Sequence, residues 1–116
     1  MIWIEMYKQW EIYMTNLNPS KWHEQTGERP VVIISWNSFN QNGWLVIVCP
    51  ITSKIKNYEW DVILSTDKLN WLSKDSEVLT FQIRSLSVQR LINKLWTVNQ
   101  TEIKEILQWL NKLLIY

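Results

Sequence analysis

Alanine is absent from the 116 residues, glycine occurs only at Gly27 and Gly43, and cysteine and histidine occur once each, at Cys49 and His23. These absences remove several chemistries. Two isolated glycines build neither a glycine-rich loop for phosphates nor the Gly-x-Ser-x-Gly elbow that presents a nucleophilic serine. A lone cysteine forms no internal disulfide, and with a single histidine it offers no Cys/His metal spacing, so no metal and no cofactor is expected. Cys49 closes the apolar run WLVIVC and reads as a small buried hydrophobe.

An excess of one charge is also missing. Twelve basic residues against 11 acidic ones leave a formal charge of +1, which creates no broad field toward nucleic acid or membrane, so any site for an anionic partner would have to be local. No stretch approaches the roughly 18 consecutive apolar residues of a membrane span. The start, MIWIEMYKQWEIY, lacks a basic region followed by a long apolar one, and the expectation is a soluble, cytoplasmic protein without a membrane partner. A chain of this length suits one domain over 1–116, with no repeat and no linker.

What is present is short, apolar and punctuated. Strands are expected at Trp10–Leu17, Val31–Trp36, Trp44–Cys49, Trp60–Leu64, Glu77–Ile83 and Leu91–Leu95, with a turn at Asn40–Gly43. The continuous apolar character of the second and third predicts burial on both faces. A helix follows Asn99, which can cap it with Glu102 three residues on, and Ile103, Ile106, Leu107, Leu110 and Leu114 share one face. The pattern predicts a mainly β protein, a small antiparallel barrel closed by a C-terminal α-helix. Nine tryptophans are present, and Trp10, Trp36, Trp44, Trp60 and Trp109 fall in these elements, where packing is the expected role.

Three segments stand apart: EQTGERP at Glu24–Pro30, CPITSK at Cys49–Lys54 and FQIRSL at Phe81–Leu86. The first carries Arg29, a planar and permanently charged fork suited to phosphate oxygens, to the mouth of an apolar strand whose backbone Pro30 helps to fix. Taken alone, Arg29 is equally a solvated strand-end arginine, Thr52 a residue that caps a turn, and His23 a surface histidine.

Together the segments resemble the MazF, PemK and Kid toxins of bacterial toxin–antitoxin pairs, and the likeness runs from Gln9 onward. The resemblance implies an SH3-like barrel that pairs into a homodimer and cuts single-stranded RNA without a metal, leaving a 2′,3′-cyclic phosphate and a 5′-hydroxyl. It also implies inhibition by a MazE-like antitoxin with an acidic C-terminal segment. Carried over by position, Arg29 and Thr52 match the family's catalytic arginine and threonine. His23 matches a histidine that assists cleavage in the Kid and PemK subgroup, and Glu24 beside it is a second base. Gln25, Ser53, Lys54, Gln82 and Arg84 match positions suited to holding RNA.

Several positions depart from the family. Phe81 stands where relatives often carry an acid, so His23 or Glu24 has to move the proton unless Arg29 and Thr52 act mainly by stabilising the phosphate; Phe81 itself reads equally as core. Trp10, Trp22, Trp71 and Trp96 occupy positions usually held by glycine or another small residue, and Trp22 is expected at the rim of the RNA site. Two alternatives remain: a non-enzymatic toxin of the same fold, as in CcdB, which EQTGERP and PITS argue against, and an inactive barrel whose groove tryptophan blocks.

Overall fold

The computed structural model describes residues 7–17, 27–66, 72 and 74–114. They form strands β1 (Glu11–Asn16), β2 (Glu28–Ile33), β3 (Leu45–Thr52), β4 (Asp61–Leu64), β5 (Ser76–Leu79), β6 (Arg84–Ser87) and β7 (Leu91–Thr97), and helices α1 (Asn37–Asn40) and α2 (Gln100–Leu114). No helix among the described residues is long and apolar enough to cross a membrane.

All strand pairs are antiparallel, in the order β4-β5-β3-β2-β1-β7. β3 organises the sheet because its eight residues serve two neighbours on one edge: Leu45–Val48 pair with β6, and Ile51 and Thr52 pair with β5. Its other edge carries β2. The ladder does not close among the described residues, since β6 and β7 are joined by the 3-10 turn Val88–Arg90 and are not paired. Thr15 Oγ1 donates to the Arg90 carbonyl at 2.6 Å and ties that turn to β1. The fold is the expected one, a barrel-like, mainly β structure with a C-terminal helix.

Alternation along β1, β2 and β3 divides the core in two. Ile12, Val32, Cys49 and Ile51 face α2 and pack with Val62, Leu64, Val78, Ile106 and Leu110. Tyr13, Val31, Ile33, Val46 and Val48 face the other way and pack with Leu17 and Leu86. Period-two side-chain geometry therefore buries both faces of the central strands, as their apolar runs predict. Burial pushes the Cys49 thiol up to about 12, which keeps it protonated and inert.

The helix begins as its sequence requires. The Asn99 Oδ1 accepts from the Glu102 N–H at 2.8 Å, and Glu102 Oε1 accepts from the Asn99 N–H at 2.9 Å, which makes a capping box. Only part of the expected stripe is buried, however. Ile106 and Leu110 enter the core and Ile103 packs against it, while Leu107 and Leu114 stay exposed on the flank, because Trp109 and the buried Glu102 lie on the inner side.

Other expectations need correction. Glu77–Ile83 is not one strand: β5 ends at Leu79, the 3-10 turn Thr80–Gln82 intervenes, and β6 follows. The fully buried Thr80 fixes that turn by donating from Oγ1 to the Trp60 carbonyl at 2.7 Å. The first strand starts at Glu11 because Trp10 has φ 73°, a left-handed conformation. Trp36 and Trp44 are 61% and 76% exposed, outside the core, because α1 and the turn to Gly43 carry them to the surface. Trp10 and Trp109 do pack against the core.

Candidate functional site

The site begins where two strands part. Val31, Val32 and Ile33 pair with Pro50, Cys49 and Val48, and the β2–β3 ladder stops at Val31 and Pro50. Neither Pro30 nor Pro50 has an N–H with which to continue it. Beyond this point β2 stays bonded to β1, with Arg29 opposite Thr15, while β3 turns to β5. A cleft of about 310 Å³ opens alongside, lined by Glu28, Arg29, Pro30, Ser53 and Lys74. Just before β2 the Leu17 N–H donates to the Gly27 carbonyl at 2.9 Å, and Gly27 supplies the φ of 83° needed there.

A second cleft of about 300 Å³ has Thr52, Lys54, Tyr58, Asp61, Phe81 and Gln82 in its lining. Cross-strand pairing sets Thr52 opposite Glu77 and Asp61 opposite Leu79. These four residues share the sheet face turned away from α2. Thr52 is buried, and its Oγ1 accepts from the Lys54 N–H at 3.1 Å, so the turn-capping role is real. That bond leaves the hydroxyl proton available to a ligand.

Glu77 is fully buried and lines this cleft too. Its Oε1 accepts from the Lys56 N–H at 3.0 Å and its Oε2 from the Asn57 N–H at 3.2 Å, which holds the loop after β3 down on the sheet. Asn57 makes the turn with φ 56°, a conformation asparagine tolerates. Asp61 lies beside this carboxylate, only 8% exposed, and neither of its carboxyl oxygens receives a hydrogen bond from the described residues. Burial raises Asp61 to about 7. Glu77 adds to the rise, since a protonated Asp61 can donate to it and an ionised one only repels it.

The wall of this cleft is aromatic. Tyr58 stacks on Trp60 at 5.3 Å, and Phe81 meets Trp60 edge-on at 6.3 Å. Phe81 is 44% exposed and so is not core, and Trp60 buttresses the two lining rings instead of filling the interior.

The structure thus gathers Arg29 and Ser53 in one cleft and Thr52, Lys54 and Gln82 in the next. Arg84 is not among them; it is half-buried on β6, opposite Val48, and lines neither cleft. Trp22, His23, Glu24 and Gln25, with Trp71, lie outside the described residues. Sequence reasoning missed Asp61, Glu77 and Tyr58. The available signal was a carboxylate at an inward position of the otherwise apolar segments DVIL and SEVL.

The Asp61 environment carries a pH signature. In the unfolded chain the group titrates near 3.8, and in the folded one near 7. The folded state therefore binds this proton more tightly, and its contribution, full below pH 4, is lost as pH rises toward and through 7. Asp61→Asn, which keeps the donor and removes the charge, should melt close to the parent near pH 4 and increasingly above it as pH rises to 8. A difference in melting temperature that does not change with pH would contradict this assignment.

Comparison with known proteins agrees with this fold. The model of the PemK-like, MazF-like toxins of type II toxin–antitoxin systems matches residues 8–114. A Staphylococcus saprophyticus protein named Endoribonuclease MazF is 35% identical over 102 residues, covering 87% of this chain and 85% of that one. The crystal structure of MazF (form I) from Deinococcus radiodurans superposes with a TM-score of 0.82 at 28% identity, covering 93% of this chain and 96% of that one. A MazE–MazF structure (form I) from the same organism gives 0.74 at 25% identity, covering 93% and 95%. With its whole described sheet and helix inside the matched span, the chain belongs to the PemK-like, MazF-like toxin family.

Proposed function

We propose that this chain is a sequence-selective endoribonuclease that cuts single-stranded RNA without a metal, leaving a 2′,3′-cyclic phosphate and a 5′-hydroxyl. The observation that carries the reading is the placement of Arg29 and Thr52 just past the end of the β2–β3 ladder, Arg29 in a cleft with Ser53 and Thr52 in a cleft with Lys54. The name of the Staphylococcus saprophyticus relative supports the same activity.

In this reading the ribose 2′-oxygen attacks the adjacent phosphorus, the P–O5′ bond breaks, and no water is consumed. The 2′-hydroxyl gives up a proton and the departing 5′-oxygen gains one. Arg29 neutralises the charge that builds on the phosphate oxygens, and the Thr52 hydroxyl donates to one of them while Lys54 holds it from behind through its backbone N–H. Phe81 cannot take part in proton transfer, which leaves that work to His23 or Glu24. Lys54, Ser53, Gln82 and Gln25 hold the strand, and Trp22 stands at its rim.

The same site suits inhibition by a cognate antitoxin. Arg29 and Lys74 line one cleft and Lys54 and Lys56 the other, so an acidic, flexible segment that folds on binding would find cations in both. The MazE–MazF relative supports this partner. Pairing of two copies is supported by the exposed Trp36, Phe39, Trp44 and Leu45, an apolar cluster of the kind that marks interaction surfaces.

Arg29→Ala and Thr52→Ala should each slow cleavage of a long RNA in EDTA by on the order of 100-fold or more, with unchanged circular dichroism. Cleavage by both variants at the parent rate would remove these residues from the mechanism, and loss of parent activity in EDTA would remove metal independence. Sedimentation at micromolar concentration should give twice the 14.1 kDa chain mass; a clean monomer would contradict the pairing.

A further inference from the structure

The aromatic wall of the second cleft is more than packing requires. Tyr58 and Phe81 line it while 49% and 44% exposed, and Trp60 contacts both rings. The Tyr58 ring lies nearly parallel to Trp60, at 19°, and the Phe81 ring nearly perpendicular to it, at 86°. The two lining rings therefore stand steeply to each other, so a flat group stacked on one meets the other edge-on, and both are favoured aromatic geometries. Because Trp60 braces them beforehand, little side-chain freedom is left to lose when such a group arrives.

The polar lining says what that flat group is attached to. Lys54, Lys56 and Thr52 line the same cleft, two cations and a hydroxyl of the kind that hold backbone phosphates. The floor adds no contact to a base edge, because Asp61 is buried and shares a hydrogen bond with Glu77, whose two oxygens accept from the Lys56 and Asn57 N–H groups. Those bonds hold the loop that carries both lysines and Tyr58 down on the sheet. We propose that the Tyr58 and Phe81 rings seat one unstacked base of the RNA by its faces, whichever base it is, while Lys54 and Lys56 meet its flanking phosphates. Aromatic rings beside a cationic groove hold single strands in this base-tolerant manner. Since Thr52 belongs to the same cleft, the seated nucleotide adjoins the phosphate to be cut, and sequence selection is exercised at other nucleotides. Phe81, which cannot move a proton, serves binding instead.

The proposal rests on the RNA-cutting reading for its ligand, and it can fail separately from it. The probes are short 2′-O-methyl strands of uracil alone, adenine alone and cytosine alone, with a fully abasic strand of the same length that keeps the phosphates and lacks every base. None can be cut, so binding reads the cleft whatever Arg29 and Thr52 do. Tyr58→Leu and Phe81→Leu, each shown folded by a melting curve, should bind all three base-bearing strands about 10-fold more weakly than the parent does, and the abasic strand as the parent does. An equal loss on the abasic strand would make the rings structural, and a loss confined to one of the three bases would replace stacking with base readout; either overturns the proposal. Parent-like binding of every base-bearing strand by both variants would also overturn it, and would return the rings to a protein partner. A parent that binds none of the strands would refute the RNA reading as well.

Discussion

The Glu77 carboxylate is the interaction on which the functional end of the molecule depends. A fully buried charge is costly unless it is hydrogen-bonded, and here two backbone N–H groups of one loop supply the bonds. The same two bonds fix the path of the chain from Thr52 to Trp60. They set Lys54 and Lys56 beside the sheet, bring Tyr58 onto Trp60, and deliver Asp61 to the start of β4, against the carboxylate that anchors the loop. The aromatic wall and the second cleft follow from this one buried carboxyl group, which also adds to the rise that burial imposes on Asp61.

A second constraint is the pair of prolines that ends the β2–β3 ladder. Because Pro30 and Pro50 cannot donate, β2 parts from β3 at Val31, while β3 continues on its other edge with β5. The parting opens the sheet next to Arg29 on β2 and Thr52 on β3. Apolar residues dominate up to this point and polar ones after it, so the end of the core and the start of the site coincide.

How much of this was legible in the sequence depended on how local each signal is. The capping box of Asn99 and Glu102 could be read directly because its partners are three residues apart, and Arg29 and Thr52 stood out through the EQTGERP and PITS segments. The Asp61–Glu77 pair could not be read, since it exists only through the register of β4 on β5. The break at Thr80–Gln82 carries no glycine or proline to announce it, and a tertiary bond to the Trp60 carbonyl makes it. Leu107 and Leu114 fit the helical period equally well, but packing selected the flank that buries Ile103, Ile106 and Leu110. Trp10, where the family resemblance implies a small residue, holds φ 73°, a left-handed conformation that favours glycine. That strain, of roughly 1–2 kcal/mol, is opposed by packing on the core and by two bonds to its carbonyl, from the Val98 N–H and Thr97 Oγ1.

The central claim is that RNA is held across both clefts, between Arg29 and Thr52. The most direct measurement is a titration of isotope-labelled protein with an uncleavable single-stranded 2′-O-methyl RNA, followed by amide chemical shifts. The account predicts that the largest changes fall at Gly27–Arg29, Ile51–Asn57 and Glu77–Gln82. Changes confined to α2 and the outer face of β7, with those three segments unmoved, would contradict it.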